Sequence, residues 1–229
     1  MQLTREQKST IERVVNAFET GSADGDYGAV SIYVDGPNRV RQITYGRSQT
    51  TEYGNLRTLI RKYVDAKALY SEALEPYADH IGSAPLTDDP HFKKLLRHAG
   101  RQDTVMRTVQ DEFFDKAYFQ PAIQWADAHG FTLPLSALVI YDSFIHSGSI
   151  LWVIRQRFAE NPPALGGDEA AWITAYLRER RIWLGLSPRP AVRKSVYRVK
   201  DLTREADANN WDLSQLPVLA NGVPVHPAG

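Results

Sequence analysis

The sequence predicts an α+β chain in which helices predominate. Apolar residues recur at helical spacing along most of its length, and two-residue alternation is confined to a short stretch between Val30 and Tyr45. About nine helices and one small sheet follow from that reading. At 229 residues the chain can hold one large domain or two lobes sharing a core.

The first helix is announced by Thr4 and Gln7, which fit the S/T-x-x-E/Q capping box. Ile11, Val14, Val15 and Phe18 then form the stripe of a helix buried on one face. Glu19 closes that stripe, and Thr20-Gly21 offers the stop. Residues 22–28 form a loop carrying Asp24 and Asp26. Val30, Ile32 and Val34 alternate with Ser31 and Tyr33, as in a strand; Asp35-Gly36-Pro37-Asn38 reads as a turn. Val40, Ile43 and Tyr45 make the returning strand and leave Asp35 at the tip of a hairpin.

Past Gly54-Asn55, Leu56, Leu59, Ile60, Tyr63 and Val64 restore helical spacing, which continues towards Tyr77. Asp89-Pro90 opens a short helix as cap and first-turn proline, and another runs from about Asp103 to near Lys116. Tyr118 to Ala122 starts a further one through Trp125. From Pro134 to His146 the chain is apolar nearly all round, the mark of a helix buried on every side. Asp142 within it needs a partner, because an unpaired buried carboxylate does not stay charged. A helix is expected around Ile150 to Phe158, then a linker at 161–167, then a helix capped by Asp168-Glu169. Arg178, Arg180 and Arg181 lie along that last helix, and one of them could pair with Asp142. A basic segment with Arg193, Lys194, Arg198 and Lys200 also reads as helical, and the end from Asn209 reads as a loosely packed tail.

Composition narrows the function. Lys+Arg and Asp+Glu are both 27, so no global field recommends a nucleic acid or an anionic membrane as partner. The chain has no cysteine, which removes thiol nucleophiles, disulfides and thiolate metal sites. The histidines show no metal-ligand spacing, and neither a metal nor a cofactor is expected. There is no apolar run of signal-peptide type at the N-terminus and none long enough to span a bilayer. A monomer is expected.

Two carboxylates stand out, although read alone Glu19 is an ordinary solvated surface glutamate and Asp35 a plain turn aspartate. A glutamate at a helix end together with an aspartate on a small sheet is a layout able to hydrolyse a glycosidic bond, where one carboxyl protonates the leaving oxygen and the other acts ionised. The negative end of the helix dipole disfavours a second negative charge at Glu19, which suits a group that has to carry a proton.

With these residues in view, the chain resembles the family 46 glycoside hydrolases, the bacterial chitosanases of the lysozyme-like superfamily. Phe18-Glu19-Thr20 is similar to the segment carrying that family's catalytic glutamate. Tyr33-Val34-Asp35-Gly36 leading into Ile43-Thr44-Tyr45-Gly46 resembles the hairpin with the second carboxylate and a threonine that holds water. Tyr118-Phe119-Gln120-Pro121-Ala122, Tyr141 to His146, and Gly166-Gly167-Asp168-Glu169 through Leu177 and Arg180 resemble three further segments. The resemblance implies a two-lobed lysozyme-like fold with the hairpin beside a cleft. The smaller lobe would span about 20–60, and the larger helical lobe would run from about 61 and include the N-terminal helix.

It further implies an endo-acting enzyme that cleaves β-1,4 linkages of chitosan with inversion. Glu19 is then the acid, Asp35 the base, and Thr44 steadies the water. The hairpin length differs from the family pattern, so Asp24 and Asp26 stay open as the second carboxylate. Arg39, Arg41, Arg47, Ser48 and Asn55 are expected to line the cleft, and Asp142 with Arg180 to form a structural ion pair. Asn55 stands where the family pattern tends to have an aspartate, which would favour the ammonium groups of chitosan. That departure, with no export signal in view, keeps peptidoglycan open as a substrate for the same carboxylates, as in a phage lysin or cell-wall-degrading effector. A non-catalytic carbohydrate-binding protein on the same scaffold is the third reading. Action outside the cell is expected, by a route the sequence does not reveal.

Overall fold

The computed structural model describes residues 1–47 and 49–228. The elements run α1 (Arg5–Thr20), β1 (Val30–Tyr33), β2 (Gln42–Tyr45), β3 (Thr50–Thr51), α2 (Leu56–Asp65) and α3 (Ser71–Ala78). They continue with α4 (Pro90–Gln102), α5 (Thr104–Phe114), α6 (Gln120–Ala128), α7 (Pro134–Ser147), α8 (Trp152–Arg155) and α9 (Glu169–Gly185). Last come α10 (Pro190–Lys194), α11 (Val196–Asp207), β4 (Val218–Ala220) and β5 (Val223–Val225). The chain is thus mainly helical with small antiparallel sheets, the class expected from its periodicity.

The chain forms two compact units, one comprising Met1–Ala23 with Lys116–Gly229, the other Asp24–Asp115. The second unit is longer than the lobe of about 20–60 expected from sequence. The difference arises because α2 packs on α3 and α5, and α4 packs on α3, α5 and β1. Helices that read as part of a larger lobe therefore share a core with the sheet.

In the first unit, α1 starts with the reciprocal cap: Gln7 N–H donates to Thr4 Oγ1 at 3.1 Å, and Thr4 N–H to Gln7 Oε1 at 2.9 Å. Its stripe of Ile11, Val14, Val15 and Phe18 is buried. Gly21 ends it at φ +72°, a left-handed conformation that suits glycine. α7 is buried on every side from Pro134 to Ser143, and Trp172, Tyr176 and Leu177 of α9 belong to the same core. Asp168 caps α9 by accepting from Ala171 N–H at 2.7 Å.

Three expectations change. The helical run from Leu56 towards Tyr77 is broken between α2 and α3, where Lys67 takes a positive φ of 51° and Ser71 Oγ donates to the Tyr63 carbonyl. The helix expected around Ile150 to Phe158 is confined to the single turn of α8. The segment from Asn209 is not a loose tail. β4 and β5 pair as a hairpin that packs on α1, and Leu213, Val218, Ala220 and Val225 enter the core. Burial alternates along β4, so these few apolar residues suffice for a one-sided strand.

In the second unit the sheet order is β1-β2-β3, antiparallel throughout. Tyr33 pairs with Gln42, so the turn from Val34 to Arg41 carries Asp35 at the hairpin tip as expected. Thr44 on the central strand pairs with Ser31 on one side and Thr51 on the other. Tyr45, Ile43, Leu56, Tyr63, Phe92 and Phe114 are fully buried there.

Candidate active site

Glu19 lies in the last turn of α1 with its side chain 15% exposed. Arg198 of α11 is set against it, with Nη1 donating to Glu19 Oε1 at 2.6 Å. The same guanidinium donates through Nε and Nη2 to Asp142 Oδ1 of α7, at 2.9 and 2.6 Å. Asp142 Oδ2 accepts from Arg180 Nη1 of α9 at 2.7 Å. Charges therefore alternate along a chain, Arg180, Asp142, Arg198, Glu19, contributed by four helices of the first unit. Arg198 thus anchors one oxygen of Glu19, and among the described residues no hydrogen bond engages Oε2.

The electrostatics follow from burial. Removing Asp142 from water opposes its charge, but Arg198 and Arg180 outweigh that and hold its carboxyl down at about 2. Arg198 is held above its ordinary range: burial alone would lower it, and Asp142 and Glu19 more than reverse that. His146, one turn beyond Asp142 on α7, is lowered to about 4 by burial, then by Arg198 and Arg180, with Asp142 opposing. It is a neutral imidazole beside the ion-pair chain at neutral pH.

The need of Asp142 for a partner was legible in the residues, and Arg180 was implied by the family resemblance. The structure pairs the two, and it adds Arg198, which the sequence did not single out. The sequence places Arg198 in a basic segment without saying which of four cations turns inward. The helix-end argument for Glu19 likewise saw only the dipole of α1, and the structure adds a guanidinium.

The remaining candidates belong to the second unit. Asp35 is exposed, and its Oδ1 accepts from Gln42 Nε2 at 2.8 Å. Thr44 is 4% exposed, and its hydroxyl donates to the Ser31 carbonyl at 3.3 Å. Asp26 accepts from Gly28 N–H at 2.9 Å and from Arg101 Nη2 at 3.3 Å, which are the contacts of a loop-holding residue. Asp24 is exposed. Arg39 is exposed at φ +62° in the hairpin turn, Arg41 pairs with Asp88 at 3.0 Å, and Asn55 is exposed just before α2.

Arg47 departs from expectation. It is 4% exposed, its Nε lies 2.8 Å from Asp111 Oδ1, and its guanidinium sits 5.4 Å from the centre of the Phe114 ring. Those are the contacts of a packed residue, so burial removes it from the group expected to meet a sugar. Ser48 lies outside the described residues. A carboxylate that sequence reading passed over is Glu52, 1% exposed, which accepts from Ile43 N–H at 3.0 Å and Leu86 N–H at 2.9 Å. It fastens β2 to the segment before α4, and nothing local in the sequence marks it.

Comparison with known proteins gives these sites a setting. The family model described as glycosyl hydrolase family 46 matches residues 13–218. A chitosanase of Bacillus subtilis (strain 168) is 29% identical over an alignment of 231 residues, covering 93% of this chain and 81% of the relative. Among solved structures, a family 46 chitosanase of Gynuella sunshinyii in complex with chitotetraose superposes with a TM-score of 0.85 at 24% identity, over 100% of both chains. The native chitosanase of Bacillus subtilis MY002 gives the same TM-score and identity, again over 100% of both. Mostly helical, with a small antiparallel sheet and the lysozyme-like fold of these neighbours, the protein is a glycoside hydrolase. It belongs to glycosyl hydrolase family 46.

Proposed function

We propose that this chain is an endo-acting hydrolase of chitosan, cutting β-1,4 linkages between amino sugars with inversion at the anomeric carbon. The observation that carries the reading is the placement of Glu19: a partly exposed carboxyl at the end of α1, with one oxygen held by Arg198 and, among the described residues, no hydrogen bond on the other. In the proposed reaction Glu19 protonates the glycosidic oxygen through Oε2 as the bond breaks. Asp35 takes a proton from a water that attacks the opposite face of the sugar, and Thr44 steadies that water. The contacts of Asp26 to Gly28 N–H and Arg101 hold its loop and argue against it as the base, which leaves Asp24 as the alternative to Asp35. Arg39, Arg41 and Asn55 are proposed as substrate contacts through hydrogen bonds to sugar hydroxyls. The curated relatives named chitosanase and the neighbour bound to chitotetraose support chitosan as the substrate class. Among the described residues no helix is long and apolar enough to cross a membrane.

The test is Glu19→Gln assayed on a glucosamine hexamer. The expected result is loss of cleavage with a melting curve close to wild type, and retained cleavage would overturn the role given to Glu19. Anomeric NMR of the first products reads the stereochemistry: the α-anomer from a β-linked substrate supports inversion, and the β-anomer overturns it.

A further inference from the structure

The proposed acid sits where a helix runs out of its own hydrogen bonds. The last ladder-like contact of α1 is Gly21 N–H donating to the Ala17 carbonyl at 3.0 Å. The carbonyls after Ala17 must find donors elsewhere. The first of them belongs to Phe18, the residue before Glu19. Its donor is the hydroxyl of Tyr197, at 2.7 Å, reaching across from α11. The Tyr197 ring also meets the Phe18 ring edge-on, with centroids 5.9 Å apart at 66°.

Arg198, next in the chain, completes the grip. Its guanidinium lies 5.1 Å from the centre of the Phe18 ring while Nη1 bonds Glu19 Oε1. Two consecutive residues of α11 thus hold one dipeptide of α1 by its carbonyl, its ring and its carboxylate. The guanidinium is itself immobilised by Asp142. A carboxylate that keeps one oxygen on a fixed cation and presents the other has little room for its backbone to turn.

We infer that Tyr197 is a positioning residue for Glu19. Its hydroxyl, through the Phe18 carbonyl, sets the direction in which the last turn of α1 presents the carboxylate. The inference rests on the reading of Glu19 as the acid. Thr20 Oγ1 serves the neighbouring carbonyls, donating to Asn16 at 2.9 Å and Ser22 at 3.3 Å, so the turn's other side-chain donor is engaged away from Phe18. The phenol is also a dependable donor. Burial raises its ionisation above the ordinary range, Arg198 opposes, and Glu19 and Asp142 reinforce the rise. Removing the hydroxyl leaves a peptide carbonyl without its partner and frees the turn that carries Glu19.

Tyr197→Phe tests this, because it keeps the ring and removes only the donor. On a glucosamine hexamer kcat should fall about tenfold with KM within about twofold of wild type, since small misplacement of a reacting group acts on the chemical step. Tyr63→Phe is the matched control: it removes a buried hydroxyl from the second unit, where Tyr63 bonds Asp103 and the Tyr70 N–H. It should lower the melting temperature at least as much and leave kcat alone. A Tyr197→Phe kcat within twofold of wild type overturns the inference, as does an equal fall in kcat for Tyr63→Phe. Glu19→Gln run alongside separates the two levels. If it still cleaves, the acid assignment falls and takes this inference with it. If it is inert while Tyr197→Phe turns over at the wild-type rate, only the positioning role falls.

Discussion

Glu19 and Asp142 share a single cation, the guanidinium of Arg198, which spends two donors on the buried aspartate and one on the glutamate. The aspartate cannot swing to follow, because its second oxygen is bonded to Arg180. The position of a partly exposed carboxyl at the end of α1 is therefore referred, through one side chain, to the centre of the first unit's core. Ion pairs with no exposure depend on both partners, since removing one leaves an uncompensated buried charge.

The neutral imidazole beside this chain has a measurable consequence. In the unfolded chain His146 takes a proton near 6.5, and in the folded protein burial and the two guanidiniums withhold it until about 4. Between those values the unfolded state binds more protons, so falling pH favours unfolding. The contribution is complete above about 6.5 and is lost as pH drops through about 4, worth up to roughly 3 kcal/mol. Urea unfolding from pH 7 to 4 should show this slope in the wild type, and His146→Gln should flatten it. An unchanged slope would count against the buried neutral state.

Arg47 distinguishes packing from binding. Because its guanidinium is buried on Asp111 and Phe114, Arg47→Ala should cost about 1–3 kcal/mol in denaturant unfolding, through lost packing and the loss of the pair. KM for a glucosamine hexamer should stay within about twofold, as expected of a residue that does not meet the sugar. A raised KM with unchanged stability would restore the cleft-lining role.

The segment after Asn209 offers a stability test. Leu213 is 4% exposed within the first unit's core, so Leu213→Ala should destabilise by about 2–5 kcal/mol. Leu219, on the outward side of β4 and 39% exposed, should tolerate alanine within about 0.5 kcal/mol. A loss within about 0.5 kcal/mol at both positions in a urea titration would return this segment to the status of a tail.

Much of the fold was legible without coordinates. The capping box at Thr4 and Gln7, the stop at Gly21, the aspartate caps of α4 and α9, the all-round apolar α7 and the hairpin tip at Asp35 all hold. Each depends on hydrogen bonds or burial repeating within a few residues, which spacing records directly. The need of Asp142 for a cation was legible for a related reason: a charge inside an apolar helix has to be met.

Which cation meets it, and what else that cation holds, only the tertiary structure decided. Arg198 is 56 residues from Asp142 and 179 from Glu19, and in sequence it looks like its basic neighbours. The inward turn of Arg198, the burial of Arg47 and the bonds from Glu52 to distant backbone arise when desolvated groups find partners across the fold. The closing strands β4 and β5 likewise gain their worth from the helix they cover. A sequence fixes local hydrogen bonding and the periodicity of burial; the identity of long-range partners depends on where helices come to rest, because the cost of removing a charge from water is set by whatever surrounds it there.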